Sequence, residues 1–258
     1  MKSTNNLQFL TSIKFFILIF FTILILFNFF DIYLFKLSRS FPGIFFIFFK
    51  SIIDPISDVL DPLNLIIFCL LVLLTNSNIK FILKNDSKLK LIKAKTNFSE
   101  KKIKDLFTFI SLVCKHFLSS LAIAGISCNI LKYIFGVSRP KYFFLEGYER
   151  INYFNIEHKI SSFPSGHTQA AFTLAILLVI YLRRYYILIF TIATLMGLSR
   201  IFMSMHFPSD LIAGAYLGAI IPLIIYDYYF KTHIEKIVKN YKFSFKDLIQ
   251  LMYWRVFI

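Results

Sequence analysis

The feature that most constrains this chain is its series of long apolar runs. Six stretches read as membrane spans, at about 12–30, 61–76, 106–131, 168–182, 185–203 and 210–228, because about 20 mostly apolar residues cross a hydrocarbon core of ~30 Å. Several are short, so their ends are expected in the interface. Composition agrees, with 57% hydrophobic and only 17% charged residues against roughly half and a quarter in soluble chains. The expected fold is all-α: a polytopic membrane protein, a six-helix bundle forming one domain over residues 1–258, with no internal repeat. The run from Phe15 to Phe30 is followed by Asp31 with no small-residue cleavage site, which favours a retained first span over a signal peptide. Residues 31–60 contain Pro42, Gly43, Pro55 and a run, Ile44 to Phe49, too brief to span. That segment reads either as an interfacial or re-entrant helix or as a loop.

The net charge of +15 would raise nucleic-acid binding in a soluble protein. Here much of the lysine flanks spans, and it reads first as topology information. The link 77–105 carries Lys80, Lys84, Lys88, Lys90, Lys93, Lys95, Lys101, Lys102 and Lys104 against Asp86, Glu100 and Asp105, which assigns it to the cytoplasm. Arg183 and Arg184, and Lys231, Lys236, Lys239, Lys242, Lys246 and Arg255 of the tail, agree. Both termini are then cytoplasmic, and 31–60, 132–167 and 204–209 are outer loops. The tail 229–258 is basic; its alternation of Lys239, Lys242 and Lys246 with Tyr241, Phe243, Phe245 and Leu248 fits an anionic leaflet or a plain solvated tail. Cys69, Cys114 and Cys128 fall in expected spans without metal-ligand or disulfide spacing, and read as packing residues.

Charged and polar residues are costly near a membrane, so their positions inform. Three clusters stand out: Lys132 to Pro140, Phe163 to Thr168, and Ser199 to Asp210. The topology drawn from loop charge alone puts all three at one membrane face. Lys132, Arg139 and Arg200 supply cations, and arginine offers bidentate donors to a tetrahedral oxyanion. Pro164-Ser165-Gly166-His167 sits where a helix should start, so free amides and the positive helix end face the same anion. His206 and Asp210 are four apart, a spacing that lets a carboxylate hold one ring nitrogen and leave the other free. Each piece has a bland reading alone: a snorkelling lysine, a turn at a helix start, a structural histidine–aspartate hydrogen bond. Together, in one order and on one face, they point to phosphate chemistry.

The three clusters resemble the signature of the type 2 phosphatidic acid phosphatase superfamily. Lys132 to Pro140 matches its Lys-x6-Arg-Pro element, Pro164 to His167 its Pro-Ser-Gly-His element, and Ser199 to Asp210 its Ser-Arg-x5-His-x3-Asp element. The resemblance runs from Lys132 to about Tyr228, with a catalytic core expected over about 106–228. It implies a lipid phosphate phosphatase in which His206 is the nucleophile and forms a phosphohistidine, Asp210 orients it, and His167 is the acid and base. Lys132, Arg139, Ser165, Gly166 and Arg200 would bind phosphate. It also implies no metal and no other cofactor, a lipid phosphate substrate among membrane lipids, and no nucleic-acid partner. Phosphatidate, phosphatidylglycerol phosphate, undecaprenyl diphosphate and lipid A are all open as substrates. Phosphotransfer to another alcohol and a non-catalytic lipid-binding or transport role are the alternatives. The expected location is a bacterial inner membrane with the site facing outward. Lys115 and His116, in the third expected span, match no motif; snorkelling or inter-helix hydrogen bonding is expected for them. His158 and Lys159 are expected in a solvated loop or against a headgroup.

Overall fold

The computed structural model describes residues 7–77, 85–240 and 245–256. Among them the regular structure is helical, with one isolated antiparallel bridge between Val137 and Ile151. Lys80 and Lys84 of the basic link, and Tyr241, Lys242 and Phe243 of the tail, lie outside the described residues.

Among the described residues, five helical runs are long and apolar enough to cross a membrane. These are α1 (Ile13–Arg39), α2 (Gly43–Asn76), α4 (Glu100–Phe135), α7 with its lead-in turn (Arg183–Phe202), and the run Pro208–Lys239, which begins with α8 (Pro208–Ile225) and continues into α9 (Lys231–Asn240). The remaining elements are α3 (Asp86–Thr96), α5 (Pro140–Leu145), α6 (Gly166–Tyr181) and α10 (Phe245–Val256). Each of the six expected spans therefore has an apolar helix, and among the described residues five of these helical runs are long enough to span. The expected fourth span is α6, whose 16 residues extend ~24 Å at 1.5 Å per residue, short of the hydrocarbon thickness. Residues 31–60 are not a loop either. They carry the end of α1 and the beginning of α2, separated by a break at Ser40–Pro42. A turn at Leu60–Asp61 interrupts α2, where the Asp61 carboxylate caps the Leu63 amide at 2.8 Å and Pro62 begins the next turn, both favoured helix starts.

Packing divides the chain into two compact units, Met1–Asn64 with Ser119–Ile224, and Leu65–Leu118 with Ile225–Ile258. All eight expected site residues lie in the first. On α1 the side chains of Phe16, Ile17, Phe20, Phe21 and Ile25 are exposed, the pattern of a helix facing lipid rather than a core. Within the unit, Phe49 and Ile53 of α2 pack with Ala171 and Ala175 of α6 and Ala193 and Met196 of α7. Phe35 packs with Ile201, Phe207 and Leu211, so α1 reaches the turn between α7 and α8. Arg39 ties the same end: Nη1 donates to the Phe202 carbonyl at 2.9 Å and the Ser204 hydroxyl at 3.1 Å, and Nη2 to the Ile201 carbonyl. It thereby satisfies carbonyls that the end of a helix leaves without partners.

Two glycines bring α8 against α6. A Cβ at Gly214 would lie 2.5 Å from the Ser165 carbonyl oxygen, and one at Gly218 2.2 Å from that of Gln169. Gly214-Ala-Tyr-Leu-Gly218 is the small-x3-small pattern that permits close helix approach in membranes.

The second unit has its own core of Leu89, Ile92, Ile103, Leu106, Phe107 and Leu251. Asn76 donates to the Phe107 carbonyl at 3.2 Å and the Ser111 hydroxyl at 2.8 Å. His116 is fully buried and packs between the rings of Tyr226 and Phe230, with centroids 5.6 and 5.1 Å away, whereas Lys115 is exposed. Cys69 and Cys114 are buried together in an apolar cluster, and all three cysteines are free thiols.

Candidate active site

Local backbone geometry brings the three clusters together. The α4 helix ends at Gly136, whose φ of +51° lies in the left-handed region that glycine adopts without steric cost. A Cβ there would fall 1.7 Å from the Asn152 carbonyl oxygen. The strand-like stretch that follows pairs with residues 149–152: Asn152 N–H donates to the Gly136 carbonyl at 2.7 Å and Ser138 N–H to that of Arg150 at 3.1 Å. Further amide bonds stitch the clusters to one another. Ser162 donates to the Val137 carbonyl at 2.8 Å, Arg139 to Lys159 at 3.0 Å, Lys141 to Ser204 at 3.1 Å, and Ser165 to Asp210 at 3.0 Å.

The cations meet around Ser161. Lys132 Nζ donates to its carbonyl at 2.6 Å and Arg139 Nη2 to its hydroxyl at 3.2 Å. Arg139 is 8% exposed, and its Nε is buried without a protein partner. Burial pulls the Arg139 guanidinium below its usual value, with Tyr142 and Asp210 opposing; it stays charged, as arginine does in proteins. Arg200, near the end of α7, is fixed by its Nε bond to the Ser199 hydroxyl at 3.0 Å and pairs through Nη2 with the Asp54 carboxylate of α2.

Ser165 caps α6. Its hydroxyl oxygen accepts from the Thr168 amide at 3.4 Å and the Thr168 hydroxyl at 2.9 Å, leaving the serine proton free to donate. Gly166 opens the helix, and a Cβ there would meet Lys132 Cε at 3.7 Å, an ordinary contact. The surrounding protein thus does not force glycine at this position. His167 is exposed in the first turn and lines a cavity of about 250 Å³ with Ser57, Leu60, Asp61, Pro62 and Met196.

His206 and Asp210 are both buried, at 2% and 0% exposure. The expected direct contact is longer than a hydrogen bond, with His206 Nδ1 3.6 Å from Asp210 Oδ2. Ser162 stands between them: its hydroxyl donates to Asp210 Oδ2 at 2.5 Å and lies 3.3 Å from His206 Nδ1. The same carboxylate oxygen accepts from the Phe207 amide at 2.7 Å. Nδ1 therefore faces the carboxylate side, leaving Nε2 as the nitrogen available for chemistry. Burial pushes the His206 imidazole well below its usual value, with Lys132 and Arg139 adding to the effect, so the ring is neutral at physiological pH.

Three residues outside the motifs shape the site. Ser162 relays between aspartate and histidine. Asp31, 1% exposed, accepts from the Ser209 amide at 2.9 Å and the Ser209 hydroxyl at 2.5 Å, capping α8 from α1. Arg150 Nη2 donates to that same Asp31 at 2.5 Å. The signal for Asp31 was a carboxylate at the end of an apolar run; Ser162, three residues before Ser165, carried none. His158 is exposed, and Lys159 pairs with Glu146 at 2.7 Å.

Residues 114–234 match the model of the PAP2 superfamily. The lipid A 1-phosphatase of Rhizobium etli is 27% identical over 110 residues, covering 43% of this chain and 47% of the relative; that of Rhizobium johnstonii is 28% identical over 111 residues, 43% and 46%. The bacitracin transport permease protein BcrC of Bacillus licheniformis is 38% identical over 72 residues, 28% and 36%. The chain thus spans less than half the length of these curated relatives. No solved structure gives a significant match.

Proposed function

Because the chain belongs to the type 2 phosphatidic acid phosphatase superfamily, we propose that it is an integral-membrane phosphatase that removes phosphate from a lipid through a phosphohistidine on His206. The observation that carries this reading is the convergence of a buried, neutral imidazole with two cations bonded to one residue, Ser161. In the first step, His206 Nε2 attacks phosphorus and the bond to the lipid oxygen breaks. The electron pair leaves on that oxygen, which His167 protonates. In the second, water attacks the phosphoryl group, His167 takes its proton, and the P–N bond returns its electrons to Nε2. Lys132, Arg139, Arg200, the Ser165 hydroxyl and the Gly166 amide stabilise the equatorial oxygens.

The donor set supports chemistry without a metal. It is cationic, and among the described residues no group of three His, Cys, Asp or Glu side chains is arranged to hold an ion. The names of the Rhizobium relatives put lipid A first among candidate substrates. The lysine-rich link 77–105 supports an outward-facing site in a bacterial inner membrane.

The test is phosphate release by detergent-solubilised protein from lipid A, undecaprenyl diphosphate, phosphatidylglycerol phosphate and phosphatidate, with a chelator present. Release from at least one is expected, falling about 10³-fold or more in His206→Ala. Equal release by that variant, or none by wild type, overturns the reading. Added alcohol acceptors distinguish hydrolysis from transfer, since the same phosphohistidine serves either.

A further inference from the structure

Two carboxylates in the site-bearing unit are almost wholly buried, Asp31 at 1% and Asp210 at 0% exposure. Uncompensated charges so placed are strongly destabilising. Lys132 and Arg139 act electrostatically on Asp210, but under the reading above both must also answer the substrate's phosphate. Arg150 has no such duty. Its side chain is 18% exposed, Nη2 is bonded to Asp31 at 2.5 Å, and Nη1 is buried without a protein partner. The guanidinium lies 3.5 Å from the ring centroid of Phe207, the residue after the nucleophile. Burial lowers the Arg150 guanidinium from its usual value, and the charges of Asp210 and then Asp31 oppose that. From one position, set by the pairing of residues 149–152 with the Gly136 turn, Arg150 thus bonds Asp31 and lies against Phe207, whose amide donates to Asp210 Oδ2 at 2.7 Å.

We propose that Arg150 is a positioning residue: held by Asp31, it is the standing counter-ion of the His206–Asp210 pair, leaving Lys132, Arg139 and Arg200 to the phosphate. The inference rests on the phosphohistidine reading for its catalytic consequence. The alternative is that Arg150 serves Asp31 alone, as part of the cap on α8.

Mutant cycles separate the two. The fall in melting temperature caused by Arg150→Gln is measured in full-length protein in detergent, in wild-type, Asp31→Asn and Asp210→Asn backgrounds. A shared counter-ion makes the fall smaller in both amide backgrounds. A fall undiminished in Asp210→Asn overturns the proposal. If Arg150→Gln alone is not recovered folded, recovery of both double variants supports the proposal; recovery of D31N/R150Q only, or of neither, overturns it. This arm needs no turnover, so a protein that releases no phosphate removes the phosphatase reading while the cycles still decide the counter-ion. In active protein, D31N/R150Q should regain melting temperature over R150Q while its kcat stays about 10- to 100-fold below that of Asp31→Asn. Inorganic phosphate affinity should change less than about threefold. Full return of kcat together with stability would assign Arg150 to the cap alone.

Discussion

Ser162 sets the orientation of the nucleophile proposed above, His206, since the imidazole and the aspartate meet through its hydroxyl. Ser162→Ala leaves Asp210 Oδ2 with the Phe207 amide alone and Nδ1 without its nearest partner. Hydrogen bonds to charged groups contribute about 1.5–3 kcal/mol, so kcat should fall about 10- to 100-fold with little change in inorganic phosphate affinity; steady-state kinetics and phosphate titration check this. Acid should act on His206 in two ways. Burial holds its folded-state value well below the usual ~6.5, so the acidic limb of its contribution to rate lies below that pH. The unfolded chain takes up the proton first. Unfolded protein therefore binds more protons as pH falls through ~6.5 toward the folded value, and stability declines across that window; melting temperature against pH measures it, and a rise in stability across the window would contradict it. The motif residues were legible because ionisable groups at span ends are costly and therefore few. Ser162 and Arg150 were not, because a serine or arginine in a polar outer loop has water as its default partner, and only the folded chain replaces it.

At the scale of the elements, glycine positions separate fold from chemistry. Gly214→Ala forces a Cβ toward the Ser165 carbonyl and pushes α8 away from the start of α6. Overpacking costs about 1–3 kcal/mol, so both melting temperature and kcat should drop. Gly166→Ala meets the Lys132 stem and Cys128 Sγ at ordinary distances, so melting should hold while phosphate affinity weakens, which binding of inorganic phosphate reports. Gly136→Ala combines positive φ with a backbone collision and should cost at least as much stability as Gly214→Ala. The close approach at Gly214 and Gly218 was not read from the sequence, because its partner face lies on α6, which begins some forty residues before α8. Residues 31–60 were ambiguous for a related reason: Pro42 and Pro55 suggest breaks, yet Pro55 lies inside the helical run of α2, directly after the π-helical turn Phe49–Ile53, where the altered hydrogen-bond register accommodates a residue without an N–H.

For the whole molecule, the charge pattern and the apolar surface give a topology that labelling can test. A cysteine replacing exposed His158 should react with a membrane-impermeant maleimide in intact cells, and one replacing Lys93 only after permeabilisation. The reverse pattern would invert the orientation proposed above. The length of α6 illustrates what periodicity does not reveal, since sequence marks where apolar character ends but not whether a helix is long enough to span by itself. The contact between Arg200 and Asp54 has a consequence for turnover. Under the proposed function, in which Arg200 binds phosphate, an aspartate paired with it would turn phosphate capture into an exchange, the incoming dianion displacing a resident carboxylate. The same carboxylate then competes with the departing product. Asp54→Asn should bind inorganic phosphate several-fold more tightly and suffer stronger product inhibition, with progress curves that bend earlier, because under the proposed function a resident carboxylate would refill the site as product leaves.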